Sequence, residues 1–222
     1  MSKELQKRIF SSIILISITI FFITKGSIFF IFFLSLFFLV ATYEWFKMSK
    51  NNEFIRIFGI IFLFISFFIA FHLRENFFNF FLLIIVVCIF TDIGGYVFGK
   101  VFKGLKLTKI SPNKTYSGVI GSFLISLIAG LLYLNFPDNR EILIEDPLKI
   151  FLLILFISFV SQLGDLIISY FKRNANLKDT GKILPGHGGF LDRIDGLIFA
   201  FPASYILILI IILLTLLFIP PW

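Results

Sequence analysis

Apolar residues in this chain neither alternate nor recur every three or four positions; they run in long blocks separated by short polar stretches. A helix rises about 1.5 Å per residue, so about 17 to 25 apolar residues are needed to cross a hydrocarbon layer about 30 Å thick. Seven blocks approach that length, at about 9–23, 27–46, 57–72, 77–91, 118–135, 149–171 and 197–219. The pattern predicts an all-α, polytopic integral membrane protein with about seven transmembrane helices, built as a single helical membrane domain over 1–222. Lys3, Lys7 and Arg8 precede the first block as in a signal peptide, but no small-x-small cleavage site follows and the second block starts almost at once. The first block therefore reads as an uncleaved helix.

Charge placement orients these spans. With the N-terminus in the cytoplasm, 16 of the 20 Lys and Arg fall inside: three before the first block, three in 44–56, five in 92–117 and five in 172–196. Only Lys25, Arg74, Arg140 and Lys149 fall outside. The positive-inside rule then gives N-in, C-out. The stretches 92–117 and 172–196 become cytoplasmic loops, and about 92–222 becomes the half that carries the chemistry. The acidic stretch Pro137 to Pro147 reads as a solvated turn outside.

Composition agrees with a membrane protein. Of 222 residues 59% are hydrophobic and 15% charged, against roughly 25% charged in ordinary globular chains, and 34 are Phe. Disordered, collagenous and disulfide-built classes are excluded. The one cysteine, Cys88, lies in an apolar run and reads as packing. The net charge of +7 sits beside apolar spans, where anionic headgroups and phosphorylated ligands are nearer partners than nucleic acid.

Candidate chemistry lies where lipid should have excluded polar groups. Ser158, Ser161, Asp165, Ser169 and Lys172 follow steps of three and four, along one face of an otherwise apolar helix. The serines and Gln162 can serve as glue between helices, whereas Asp165 needs a cation. The following loop holds Lys172, Arg173, Lys178, Gly186, His187, Gly188, Gly189, Asp192, Arg193 and Asp195. Glycines let backbone N–H groups approach an anion and the basic residues supply charge, a combination that suits a polyphosphate. Asp192 and Asp195 are three apart and share a face if the seventh helix starts at or before them; with Asp165 they offer the oxygen ligands Mg²⁺ prefers. Gly94 and Gly95, after Asp92, permit a tight bend at the end of the fourth span. Ser111, Lys114 and Thr115 before the fifth resemble an anion cradle.

These residues carry a resemblance to the phosphatidate cytidylyltransferase (CDP-diacylglycerol synthase) family. Its signature S-x-x-K-R, then K-D, then P-x-H-G-G-x-x-D-R-x-D is met by Ser169, Lys172, Arg173, Lys178, Asp179, Pro185, His187, Gly188, Gly189, Asp192, Arg193 and Asp195. Tyr43-Glu44-Trp45 and Ser161-Gln162-Leu163-Gly164-Asp165 look like further family segments. Departures fall earlier: T-D-T-x-A-Y is Thr91-Asp92-Ile93-Gly94-Gly95-Tyr96 here, and Asn113 and Ser117 replace a Lys and a Glu of S-P-K-K-T-x-E-G. The resemblance implies transfer of CMP from CTP to phosphatidate, giving CDP-diacylglycerol and pyrophosphate. It places Asp165, Asp192 and Asp195 on Mg²⁺, with Lys172 and Arg173 beside them. Lys178, His187, Gly188, Gly189 and Arg193 would be on substrate phosphates, with Lys114 and Ser111 as further phosphate ligands. A second cation such as K⁺, a homodimer, and a location in the inner (cytoplasmic) membrane with the site on its cytoplasmic side are also implied. A CMP transferase for another lipid phosphate, and a transporter using Asp165 as an ion site, are the alternatives.

Overall fold

The computed structural model describes residues 16–50, 52–108, 111, 114–136, 146–183 and 188–218. Within them the chain is mainly helical, and Lys106 and Thr115 form an isolated bridge. Helix α1 (Ile16–Lys25) is followed by α2 (Ser27–Met48), α3 (Glu53–Asn76), α4 (Phe78–Phe102), α5 (Tyr116–Leu134), α6 (Pro147–Asn174) and α7 (Leu191–Phe218). Six of these, α2 to α7, are long and apolar enough to cross a membrane. Their outward faces carry bare Phe and Ile, such as Ile28, Phe54 and Phe58. Water would not tolerate so much exposed hydrocarbon, whereas lipid chains solvate it.

The helices are longer than the apolar runs because their polar ends carry their own caps. Asn52 accepts the Ile55 amide at 3.1 Å and so starts α3 ahead of the hydrophobic stretch. Asp146, with Pro147 in the first turn, accepts the Leu148 amide at 2.9 Å and starts α6. Asn176, at φ 55°, ends α6 in a Schellman turn: Leu177 N–H reaches the Lys172 carbonyl at 2.8 Å and Asn176 N–H reaches Arg173 at 3.0 Å.

The chain divides into two compact units. The first holds the residues up to Phe77 together with Asp165–Asp195. Phe33 packs on Phe37 and Phe37 on Phe190, and Trp45 meets Phe171 edge-on at 4.9 Å. Trp45 Nε1 also donates to the Arg56 carbonyl. At the junction of α1 and α2, Arg74 donates through Nε and Nη2 to the Ile23 carbonyl at 3.1 and 2.8 Å and pairs with Glu75 at 2.6 Å. Glu75 in turn accepts the Ser27 amide.

The second unit holds Phe78–Gly164 and the residues from Gly196 onward. The expected bend at Gly94 and Gly95 is not there: α4 runs on to Phe102. Those glycines serve close packing instead, because a side chain on Gly94 would collide with the Gly121 carbonyl of α5. Ser122 Oγ then reaches the Thr91 carbonyl at 2.8 Å, and Thr91 Oγ1 lies 2.8 Å from Ser158 Oγ. Small residues that let backbones approach, with hydroxyls bridging, are the usual means of joining helices in lipid. Gly94→Ala should overpack this contact and cost about 1–3 kcal/mol. A lowered thermal unfolding midpoint of the purified protein is the expected reading, and an unchanged midpoint would contradict it.

Candidate active site

The polar stripe read from the sequence faces protein. Ser158, Ser161 and Ser169 are buried, and Asp165 and Lys172 partly so. Ser169 Oγ donates to Asp165 Oδ1 at 3.3 Å, one turn apart on α6.

The first unit builds an ionic centre where α6 ends and α7 begins. The Schellman turn stops α6 just after Lys172, and α7 starts at Leu191, so Asp192 and Asp195 both lie in its first turns and share a face. Lys172 Nζ meets Asp192 Oδ1 at 2.5 Å, with side chains 11% and 10% exposed. Asp192 Oδ2 accepts the Thr180 amide at 2.8 Å and faces the Thr180 hydroxyl at 3.1 Å. Asp192 also stands at the positive end of the α7 dipole, which favours a carboxylate there. Asp195 is buried at 8% exposure.

Behind this pair sits Glu44, near the end of α2 and fully buried at 0% exposure. Its Oε2 accepts from Thr180 Oγ1 at 2.7 Å and from Leu191 N–H at 2.8 Å, and its Oε1 accepts Phe190 N–H at 2.9 Å. Phe190, which precedes α7, has no side-chain oxygen to cap the helix; Glu44 supplies it from a distant segment. Gly181 and Gly189 both close on this carboxylate, since a side chain at either position would strike it. A side chain at Gly189 would also strike the Thr180 hydroxyl. Gly188 adopts φ 85°, a left-handed conformation, beside Asp179.

Among the described residues no group of three or more acidic, His or Cys side chains is placed to hold a metal ion. In the structure both oxygens of Asp192 are engaged by Lys172 and Thr180, and an oxygen of Asp165 is on Ser169. Ser111 and Lys114, expected as a phosphate cradle before α5, belong to the second unit. Thr115 caps the Gly118 amide, Tyr116 N–H donates to the Leu105 carbonyl, and Lys114 Nζ points to the Gln162 carbonyl at 3.4 Å. His187, with Pro185 and Gly186, lies outside the described residues. Of the remaining cations, Lys178, Arg173 and Arg193 are exposed, and Arg173 Nη1 donates to the Leu177 carbonyl at 3.2 Å.

Sequence reasoning singled out neither Glu44 nor Thr180 as functional. The available signal was a lone acid near the end of an apolar span, together with a helix start at Phe190 that lacks its own cap.

The fold defines a helical membrane protein, with ionisable groups gathered where α6 ends and α7 begins. Residues 52–211 match the profile of the cytidylyltransferase family, and the chain is a member of that family. It is 46% identical over 123 residues to a protein of Staphylococcus haemolyticus, covering 54% of this chain and 45% of that one. With a protein of Staphylococcus aureus strain COL the identity is 40% over 149 residues, 65% and 55% of the two chains. With one of Rickettsia bellii it is 35% over 167 residues, 73% and 72%. All three are named phosphatidate cytidylyltransferase. The match spans about half the length of the staphylococcal relatives.

Proposed function

We propose that the chain transfers CMP from CTP to phosphatidate, giving CDP-diacylglycerol and pyrophosphate. The observation that carries this is the nine-tenths-buried Lys172–Asp192 pair at the mouth of a basic loop, in a chain of the cytidylyltransferase family. The family match argues for a nucleotidyltransferase over the transporter alternative, and the relatives' names argue for phosphatidate over other lipid phosphates.

In this reaction a phosphate oxygen of phosphatidate attacks the α-phosphorus of CTP. The bond to the β-phosphate oxygen breaks, and pyrophosphate leaves with that electron pair. The nucleophile is already anionic at neutral pH, so the barrier lies in bringing two anions together, and positioned cations lower it. Lys172 is the buried cation of the set. Asp192 aims it while no phosphate is near; an arriving phosphate then competes with Asp192 for the ammonium. Lys178, Arg173 and Arg193, all exposed, would gather the triphosphate from solution. Asp165, Asp192 and Asp195 are the carboxylates that would hold Mg²⁺, whose charge would offset that of the phosphates. We place the site on the cytoplasmic face of an inner membrane, in an N-in, C-out arrangement, on the strength of the 16 to 4 partition of Lys and Arg. There CTP arrives from the cytosol and the lipid from the adjoining leaflet.

The test is purified protein with labelled CTP, Mg²⁺ and a panel of lipid phosphates. Label should pass into a CDP-lipid only when phosphatidate is present, with one pyrophosphate released per product. Transfer to another lipid phosphate in preference, or no transfer at all, would overturn the assignment.

A further inference from the structure

We propose that Glu44 is a positioning residue for this transfer reaction, bracing the loop that carries Lys172's partner from a helix that touches no reacting atom. The inference rests on the functional reading above. Its structural half stands apart from it.

The geometry is that of a brace. One buried carboxylate receives three donors from two points along the chain between α6 and α7: the Phe190 and Leu191 amides where α7 starts, and the Thr180 hydroxyl. The first two fix where α7 begins, and so fix Asp192 one residue later. The third fixes Thr180, whose amide holds the other oxygen of Asp192. Thr180 has a single hydroxyl proton and stands between two acids, 2.7 Å from Glu44 and 3.1 Å from Asp192. The shorter contact takes the proton, so Asp192 keeps the Thr180 amide and the Lys172 ammonium. Glu44 thereby decides the direction of Asp192, and through it the direction of Lys172. A glutamine cannot replace it, because every donor at this point is an N–H or O–H and an amide NH₂ group would face at least one of them.

Glu44→Gln should lower kcat about 10- to 100-fold, the scale of losing one or two charge-assisted hydrogen bonds, while KM for CTP and for phosphatidate moves less than about threefold. Hydrogen exchange supplies the second readout. The Phe190 and Leu191 amides, which at an uncapped helix start would exchange quickly, should be protected in the parent protein and lose protection in the variant, with α4 and α5 unchanged. An unchanged kcat, or a loss of protection spread through α4 and α5, would overturn the proposal. Should Glu44→Gln fail to fold, Thr180→Val removes only the hydroxyl contact. The same kcat loss, with recovery in Thr180→Ser, supports the brace, and parent-like turnover in Thr180→Val refutes it. If the parent protein makes no CDP-lipid, the functional reading fails; the brace is then judged by exchange at Phe190 and Leu191 alone.

Discussion

Lys172→Ala and Asp192→Ala should each abolish most of the turnover, and the double variant should recover stability without recovering activity. Each single change leaves a nine-tenths-buried charge without its partner at 2.5 Å. Breaking a buried pair in this way costs about 3–5 kcal/mol, far more than the loss of an exposed one. Removing both charges relieves that penalty, so the stability effects should be strongly non-additive. Turnover behaves otherwise, because the ammonium is required for the phosphate: at about 1.4 kcal/mol per decade, rates about 100- to 1000-fold below the parent are expected in all variants lacking Lys172. Thermal unfolding and CDP-lipid formation, measured on the same preparations, separate the two effects. Additive destabilisation would show that the pair is not coupled, and a fast Lys172→Ala enzyme would remove Lys172 from the chemistry.

Arg74→Ala should do the reverse, weakening the fold while sparing the reaction. Arg74 donates twice to the Ile23 carbonyl and pairs with Glu75, which holds the Ser27 amide. Hydrogen bonds to charged groups are worth about 1.5–3 kcal/mol each, and the Ile23 carbonyl at the end of α1 would lose its side-chain donors. A fall of several degrees in the unfolding midpoint is expected, with kcat per folded molecule within about twofold of the parent. Arg74→Lys should recover only part of the midpoint, since an ammonium cannot reproduce the planar fork. A midpoint equal to the parent's would show that the junction is held by other contacts.

How far the sequence reveals this molecule depends on which interactions are local. The apolar runs at 27–46 and 149–171 lie inside α2 and α6 because hydrocarbon thickness sets both quantities. The helix ends are less legible. Hydropathy treats Glu53, Arg56, Asp192 and Arg193 as loop, whereas backbone hydrogen bonding continues through them once Asn52 or Glu44 has capped the start. The same blindness hides the continuation of α4 to Phe102, where Gly94 reads as a break but is a contact. The basic and acidic loop residues stood out for their type, and Lys172 with Asp192 are brought together as that density suggested. Counting oxygens along a chain does not show that Thr180 and Lys172 hold those of Asp192. Glu44 and Thr180 are 136 positions apart, and no periodicity joins residues at that separation.

The cup formed by Gly181 and Gly189 has no slack. One methyl group, the smallest enlargement evolution can make, would evict the acid seated there. Substitutions should therefore collect on the outward side of the same stretch, at Lys182 and Ile183, while its inner wall stays bare in any descendant that keeps the carboxylate.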